Sequence, residues 1–198
     1  MSNILKINDL KKIYHDITSE VIAIDNISLE VKEEDFISIV GPSGCGKSTL
    51  LSILANLEEK SEGNIISDKN LRIGYMLQKD SLLPWRTVLD NCLLGLEIYN
   101  ELNDITKNRV ISLLKNYGLY DFKDKYPRSL SGGMRQRVAL IRTLAINPDI
   151  LLLDEPFSAL DYQTRIMLAD DLYKIIKKEH KTVIMVTHDL AELIFLLT

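Results

Sequence analysis

The chain of 198 residues is short of the features that build a secreted or membrane-embedded protein. It has two cysteines, Cys45 and Cys92, which make no disulfide framework and point to a reduced compartment. No apolar run approaches the ~20 residues that span a bilayer. The start, MSNILKIND, has neither the basic flank nor the long apolar segment of a secretory leader. Work at a membrane is therefore expected to require another chain that supplies the spanning helices. Positive charge is also scarce: 24 Lys and Arg against 28 Asp and Glu leave a net charge of −4, which makes duplex nucleic acid a poor partner. There is no internal repeat and no low-complexity linker. What remains, 46% hydrophobic and 26% charged, suits one globular domain with a sizeable core.

Patterning along the chain gives the class. Alternation in ILKINDL and VIAIDNISLEVKEED predicts half-buried antiparallel strands. FISIVG is a short apolar run that stops at Gly41, and STLLSILANLEE then has helical spacing at Leu50, Ile53, Leu54 and Leu57. LRIGYMLQ reads as a further strand. Residues 86–119 hold two helix-like stretches, TVLDNCLLGLEIYN and TKNRVISLLKNYGL, the second expected to be capped by Thr106 and closed near Gly118. From Ser131 another helix carries Val138, Ile141, Leu144 and Ala145 on one face, and Asn147-Pro148 stops it. DILLLDEP and KTVIMVTH are continuous apolar runs too short for helices. Such strands alternating with helices imply a parallel sheet covered on both faces, with ligands at the carboxyl ends of its strands. The glycine loop after FISIV, the pair Asp154-Glu155 and His188 each fall at such an end.

GPSGCGKST at 41–49 fits the spacing G-x-x-x-x-G-K-S/T. Glycines let successive backbone N–H groups turn inward around phosphate oxygens. Lys47 is expected on the β- and γ-phosphates, and the Ser48 hydroxyl on Mg²⁺. The nucleotide-binding stretch is thus Gly41, Ser43, Gly44, Cys45, Gly46, Lys47, Ser48 and Thr49. Cys45 occupies a free position of the pattern and is given no redox or catalytic role, although a thiol at a helix start is open to alkylation. Asp154 at the end of ILLLD is suited to hold Mg²⁺ through water, and the adjacent Glu155 to act as general base on the attacking water. His188 is either a structural residue after a buried strand or a donor to the γ-phosphate; its place on the same sheet edge favours the second. Gln78, after LRIGYML, is within the same edge and is a candidate for Mg²⁺ or the water. LSGGMRQR at 130–137 poses a question, because it is a second helix start able to bind an anion through unpaired N–H groups and the helix dipole.

Together these pieces resemble the ATP-binding subunits of ABC transporters. In order they match the Walker A loop (GPSGCGKST), the Q-loop (Gln78), the signature (LSGGMRQ), Walker B (ILLLDE), the D-loop (SALD, 158–161) and the H-loop (His188). The resemblance implies an α/β P-loop NTPase core, an N-terminal antiparallel β part and a helical subdomain at about 80–135 of a single 1–198 domain. It also implies ATP and Mg²⁺ as cofactors, Gln78 and His188 beside the catalytic base Glu155, and Ser48, Gln78 and Asp154 on the metal. Tyr14 resembles the aromatic residue that stacks on adenine, the alternative being an edge-strand tyrosine. The family answers the question of the second helix start. Two subunits pack head to tail, and Ser131, Gly132 and Gly133 of one contact the γ-phosphate held by the other, with Asp161 crossing the dimer axis. Gln136 and Arg135 continue the signature helix, Arg135 being read as solvated surface.

Membrane permease subunits are expected to dock near the Q-loop and the helical subdomain, fed by a solute-binding protein, which places the chain on the cytoplasmic face of the cell membrane. Pro84-Trp85-Arg86-Thr87 with Asn91 resembles the nitrate, sulfonate and taurine importer group. Trp85 is either a docking aromatic or a buried core residue of the subdomain. The ending THDLAELIFLLT departs from the family, which continues further, so the chain is expected to be short at this end. Three other readings remain open: a soluble cassette in translation or DNA repair, a small-molecule phosphotransferase that would leave LSGGMRQ without a role, and a weakly active or non-hydrolysing truncated cassette.

Overall fold

The structure, a computed structural model, describes residues 3–16, 19–67, 70–157 and 162–188. Two sheets organise it. Strands β1 (Asn3–His15), β2 (Glu20–Lys32) and β4 (Glu62–Ile66) form an antiparallel sheet in the order β2-β1-β4. Strands β3 (Phe36–Val40), β5 (Ile73–Met76), β6 (Ile150–Asp154) and β7 (Thr182–Thr187) form a parallel sheet in the order β3-β7-β6-β5. This is the α/β class with an antiparallel N-terminal part that the patterning predicts. Short β4, in SEGNIIS, is the strand the patterns miss, because its five residues carry little periodic signal.

The continuous apolar runs behave as central parallel strands should, with every residue of β6 and β7 buried. The pleat divides them between two cores. Ile150, Leu152, Ile184 and Val186 face helix α1 (Lys47–Leu54) and the antiparallel sheet, meeting Leu50, Leu51, Ile7 and Leu10. Leu151, Leu153, Val183 and Met185 face the other way, toward α2 (Val88–Ile98), α3 (Asp104–Asn116), α4 (Gly132–Ala145) and α5 (Tyr162–Lys178).

Two helix boundaries differ from expectation. Helix α1 stops at Leu54, and Asn56 takes a left-handed φ of 56° that turns the chain away. Leu57 consequently leaves the apolar stripe and is 69% exposed. Helix α3 is capped by Asn103 rather than Thr106. The Asn103 side chain accepts from the N–H of Ile105 and Thr106, and Thr106 Oγ1 accepts from the Asn103 N–H at 2.9 Å. The two polar residues form a reciprocal capping box, so Thr106 is the return partner, three residues inside. Gly118, with φ 67°, follows the helix end as the sequence suggests.

Helix α4 has the predicted core face: Val138, Ile141, Leu144 and Ala145 are all buried. It lies so close to β5 that a Cβ on Gly74 would stand 2.8 Å from Thr143 Cγ2. Glycine at this strand position lets the helix reach the sheet, which joins the helical part of the chain to the edge where the polar residues gather.

Candidate nucleotide site

The loop between β3 and α1 is shaped by its glycines. Gly44 and Gly46 have φ of 81° and 93°, and a Cβ on Gly46 would stand 2.0 Å from the carbonyl oxygen of Ala23 in β2. No side chain can be placed there without moving the antiparallel sheet. Lys47 is buried, and its ammonium donates to the carbonyls of Gly41 at 2.8 Å and Pro42 at 2.9 Å. The loop is thereby folded around its own cation.

Below the loop lies the metal-type pair. Ser48 Oγ donates to Asp154 Oδ1 at 2.9 Å, across from α1 to the end of β6. The Tyr75 hydroxyl donates to Asp154 Oδ2 at 3.2 Å from the neighbouring β5. Burial holds the Asp154 carboxyl above its ordinary range, against the opposing pull of these two hydrogen bonds. Hydroxyl and carboxylate are hard oxygen donors, and no cluster of three or more His, Cys, Asp or Glu able to hold a metal occurs among the described residues. Such a sparse donor set fits Mg²⁺, which keeps waters and substrate phosphates as most of its ligands. It does not fit a metal that needs an all-protein cage.

The next residue turns the chain sharply. Glu155 has a left-handed φ of 44°, and its N–H donates to Val186 O at 2.9 Å. A non-glycine residue in this conformation is strained unless its surroundings hold it. Three side chains from different segments do so. Glu155 Oε2 accepts from Gln78 Nε2 at 3.1 Å and lies 3.0 Å from His188 Nδ1, and Oε1 lies 3.9 Å from Lys47 Nζ. The structure therefore brings together Lys47, Ser48, Gln78, Asp154, Glu155 and His188, all of which the sequence singled out.

Other expected residues stand further off. Tyr14 is near the end of β1, 39% exposed, with the Lys12 ammonium 4.8 Å above its ring. It pairs with Val21 of β2, the strand whose Ala23 touches Gly46. Ser43 and Cys45 are exposed on the loop, with Cys45 Sγ 4.0 Å from Lys47 Nζ, and Thr49 is half-buried on the first turn of α1. Cys92 is buried, its thiol pushed up to about 12 by desolvation, so it is inert. Asp161 and the rest of SALD lie outside the described residues. Ser131 caps α4 by accepting from the Met134 N–H at 3.3 Å, and this serine is exposed with Gly132 and Gly133 behind it.

Helix α4 grips the segment after Gln78 through contacts that the signature motif alone does not signal. Arg135, read as solvated surface, donates to Asp80 Oδ2 at 2.9 Å and to Leu130 O at 3.0 Å. Arg142 donates to the carbonyls of Asp80 at 2.7 Å and Ser81 at 2.8 Å, and Gln136 Nε2 reaches Gln78 O at 3.5 Å. Arg135 and Arg142 are two turns apart on one helix face, a spacing that signals a shared target. Asn91 does more than the sequence pattern shows. It is fully buried and binds the N–H of Leu83 and the carbonyls of Leu83, Arg86 and Thr87. This fixes the PWRT loop and leaves Trp85 71% exposed, which excludes the core reading of that tryptophan.

Residues 24–158 match the family described as ABC transporter. An uncharacterized ABC transporter ATP-binding protein of Bacillus subtilis, YtlC, is 47% identical over 196 residues, 96% of this chain and 75% of that protein. The taurine import ATP-binding protein TauB of Rhizobium johnstonii is 44% identical over 88% of this chain and 69% of its own length. Among solved structures, the dimeric post-hydrolysis state of the ATP-binding cassette MJ0796 bound to ADP and Pi is similar with a TM-score of 0.82 at 34% identity, covering 96% of this chain and 90% of that one.

Proposed function

This chain belongs to the ABC transporter family, and on that premise we propose that it binds and hydrolyses ATP to energise solute import through a membrane permease of the nitrate, sulfonate and taurine group. The observation that carries the reading is the convergence of Lys47, Gln78 and His188 on Glu155, beside the Ser48–Asp154 pair, at one sheet edge. ATP is the substrate, with its phosphates in the loop from Gly41 to Thr49 and its adenine against Tyr14. Lys47 exchanges its bonds to Gly41 and Pro42 for the β- and γ-phosphate oxygens. Glu155 takes the proton of the attacking water, and Gln78 and His188 hold that carboxylate in place. Ser48 and Asp154, with Gln78, hold Mg²⁺, which when bound neutralises charge on the phosphates.

The second helix start belongs to the neighbouring site. Ser131 stands exposed at the start of α4, and Ser131, Gly132 and Gly133 meet the γ-phosphate held by a second copy, with Asp161 crossing between the two. ATP thus favours the closed pair because only that state contacts it from both sides. The dimeric state of the similar cassette supports this arrangement. Among the described residues no helix is long and apolar enough to cross a membrane. The permease supplies the spanning part, docking beside the Q-loop and the helical region with exposed Trp85 as an anchor, and a solute-binding protein delivers the cargo. The chain then sits peripherally on the cytoplasmic face.

The test has two parts. Purified chain should release free phosphate from ATP, which a phosphotransferase with a small acceptor would not do. The chain should also co-purify in fixed stoichiometry with a membrane permease; recovery on ribosomes or DNA alone would overturn the transport reading.

A further inference from the structure

Tyr75 sits at a position that needs only an apolar residue. Its ring is packed on the α1 side of the parallel sheet, beside Leu152 in register on β6. A phenylalanine would fill the same space. The hydroxyl nevertheless reaches Asp154 Oδ2 at 3.2 Å, and the Ser52 side chain acts electrostatically on the same phenol from α1. Ser52 lies one helical turn beyond Ser48 on α1, so both serines face the sheet edge from one side of the helix. Three side chains from three elements form a hydrogen-bonded chain, Tyr75, Asp154 and Ser48, with Ser52 beside the phenol.

From this geometry we propose that Tyr75, braced by Ser52, is a positioning residue that fixes the plane of the Asp154 carboxylate and so prepares the divalent-cation site. A carboxylate held through one oxygen still rotates about its last torsion. Here Ser48 holds Oδ1 and Tyr75 holds Oδ2, so both oxygens are set. Because Ser48 gives its only proton to Asp154, its oxygen lone pairs are left for the cation. Partners one step behind a metal ligand commonly set its affinity in this way. The proposal rests on assigning Ser48 and Asp154 to the Mg²⁺ of a bound nucleotide.

The experiment measures Mn²⁺ binding by electron paramagnetic resonance on the full chain loaded with a non-hydrolysable ATP analogue. Tyr75→Phe removes one oxygen and keeps the ring. Its Mn²⁺ affinity should fall by about tenfold or more, within the range for lost outer partners of metal ligands. Its affinity for the analogue in EDTA should be unchanged. Ser52→Ala should show a smaller loss of Mn²⁺ in the same direction and carries the test if Tyr75→Phe does not fold. Unchanged Mn²⁺ affinity in folded Tyr75→Phe, or in Ser52→Ala where only that variant folds, overturns this role alone. Absence of nucleotide-dependent Mn²⁺ binding by the unsubstituted chain overturns the Ser48–Asp154 assignment as well.

Discussion

Helices α1 and α4 both begin beside glycines, and both offer unpaired N–H groups to an anion, yet their surroundings are opposite. At α1 the helix start is bonded into the sheet edge, although Ser48 is solvent-exposed like Ser131. Gly46 takes a left-handed conformation with no side-chain cap, Lys47 is buried and Ser48 is tied to Asp154. At α4 the start is open: Ser131 closes its own first turn and stands exposed. The body of α4, by contrast, is fastened to residues 78–81 through Arg135, Gln136 and Arg142. The difference teaches that a shared local chemistry does not fix a shared role. A helix start wired to a base and a metal pair can hold and cleave a nucleotide. One that ends in an exposed serine, on a helix linked to Gln78, is in the proposed reading the part that meets a nucleotide held by a second copy.

The contrast can be broken at either end. The largest effect is expected for Glu155→Gln, which should lower the hydrolysis rate by about 10²–10⁴-fold, the usual contribution of a general base. ATP binding, followed by fluorescence titration, should survive. Lys47→Ala comes next. Losing charge-assisted bonds of about 3 kcal/mol should cut ATP affinity roughly 100-fold; unchanged affinity in a filter-binding assay would contradict its role. Ser131→Arg should leave the ATP affinity of the single chain intact while preventing ATP-driven pairing, seen by sedimentation. If that variant loses nucleotide as a single chain, α4 belongs to its own site and the contrast fails.

A smaller effect sharpens the α1 side. Burial raises the folded-state pKa of Asp154. The folded state therefore binds this proton more tightly than the unfolded one, and stability falls as pH rises from the ordinary carboxylate range through the raised value. Asp154→Asn removes a buried charge that costs stability above that window. In EDTA without nucleotide, its melting temperature relative to the parent should be higher at pH 7 than at pH 4. An equal difference at both values would show that Asp154 is not destabilised by burial.

Much of the α1 end was legible in the sequence because its signals are local. The loop GPSGCGKST, the run ILLLDE and the run VIMVTH each declare an element and its terminal residue within a few positions. What stayed hidden depends on distant pairing. Tyr75 looks like any strand aromatic until β5 lies beside β6 and its hydroxyl meets Asp154. Arg135 looks like surface until the chain after Gln78 returns beneath α4, 55 residues apart in sequence. Asn91 reads as a polar residue in an apolar helix, and its worth lies in four backbone groups of the preceding loop. Thr106 reads as the cap because both members of a capping box are polar and three residues apart.

The central claim, that the two helix starts serve one nucleotide from two chains, is tested most directly by light-scattering mass. Glu155→Gln retains ATP and should keep the closed state populated. The account predicts the mass of one chain without nucleotide and of two chains with ATP and Mg²⁺, and no such shift when Ser131→Arg is added. A Glu155→Gln chain that binds ATP at saturation yet keeps the mass of one chain would contradict it.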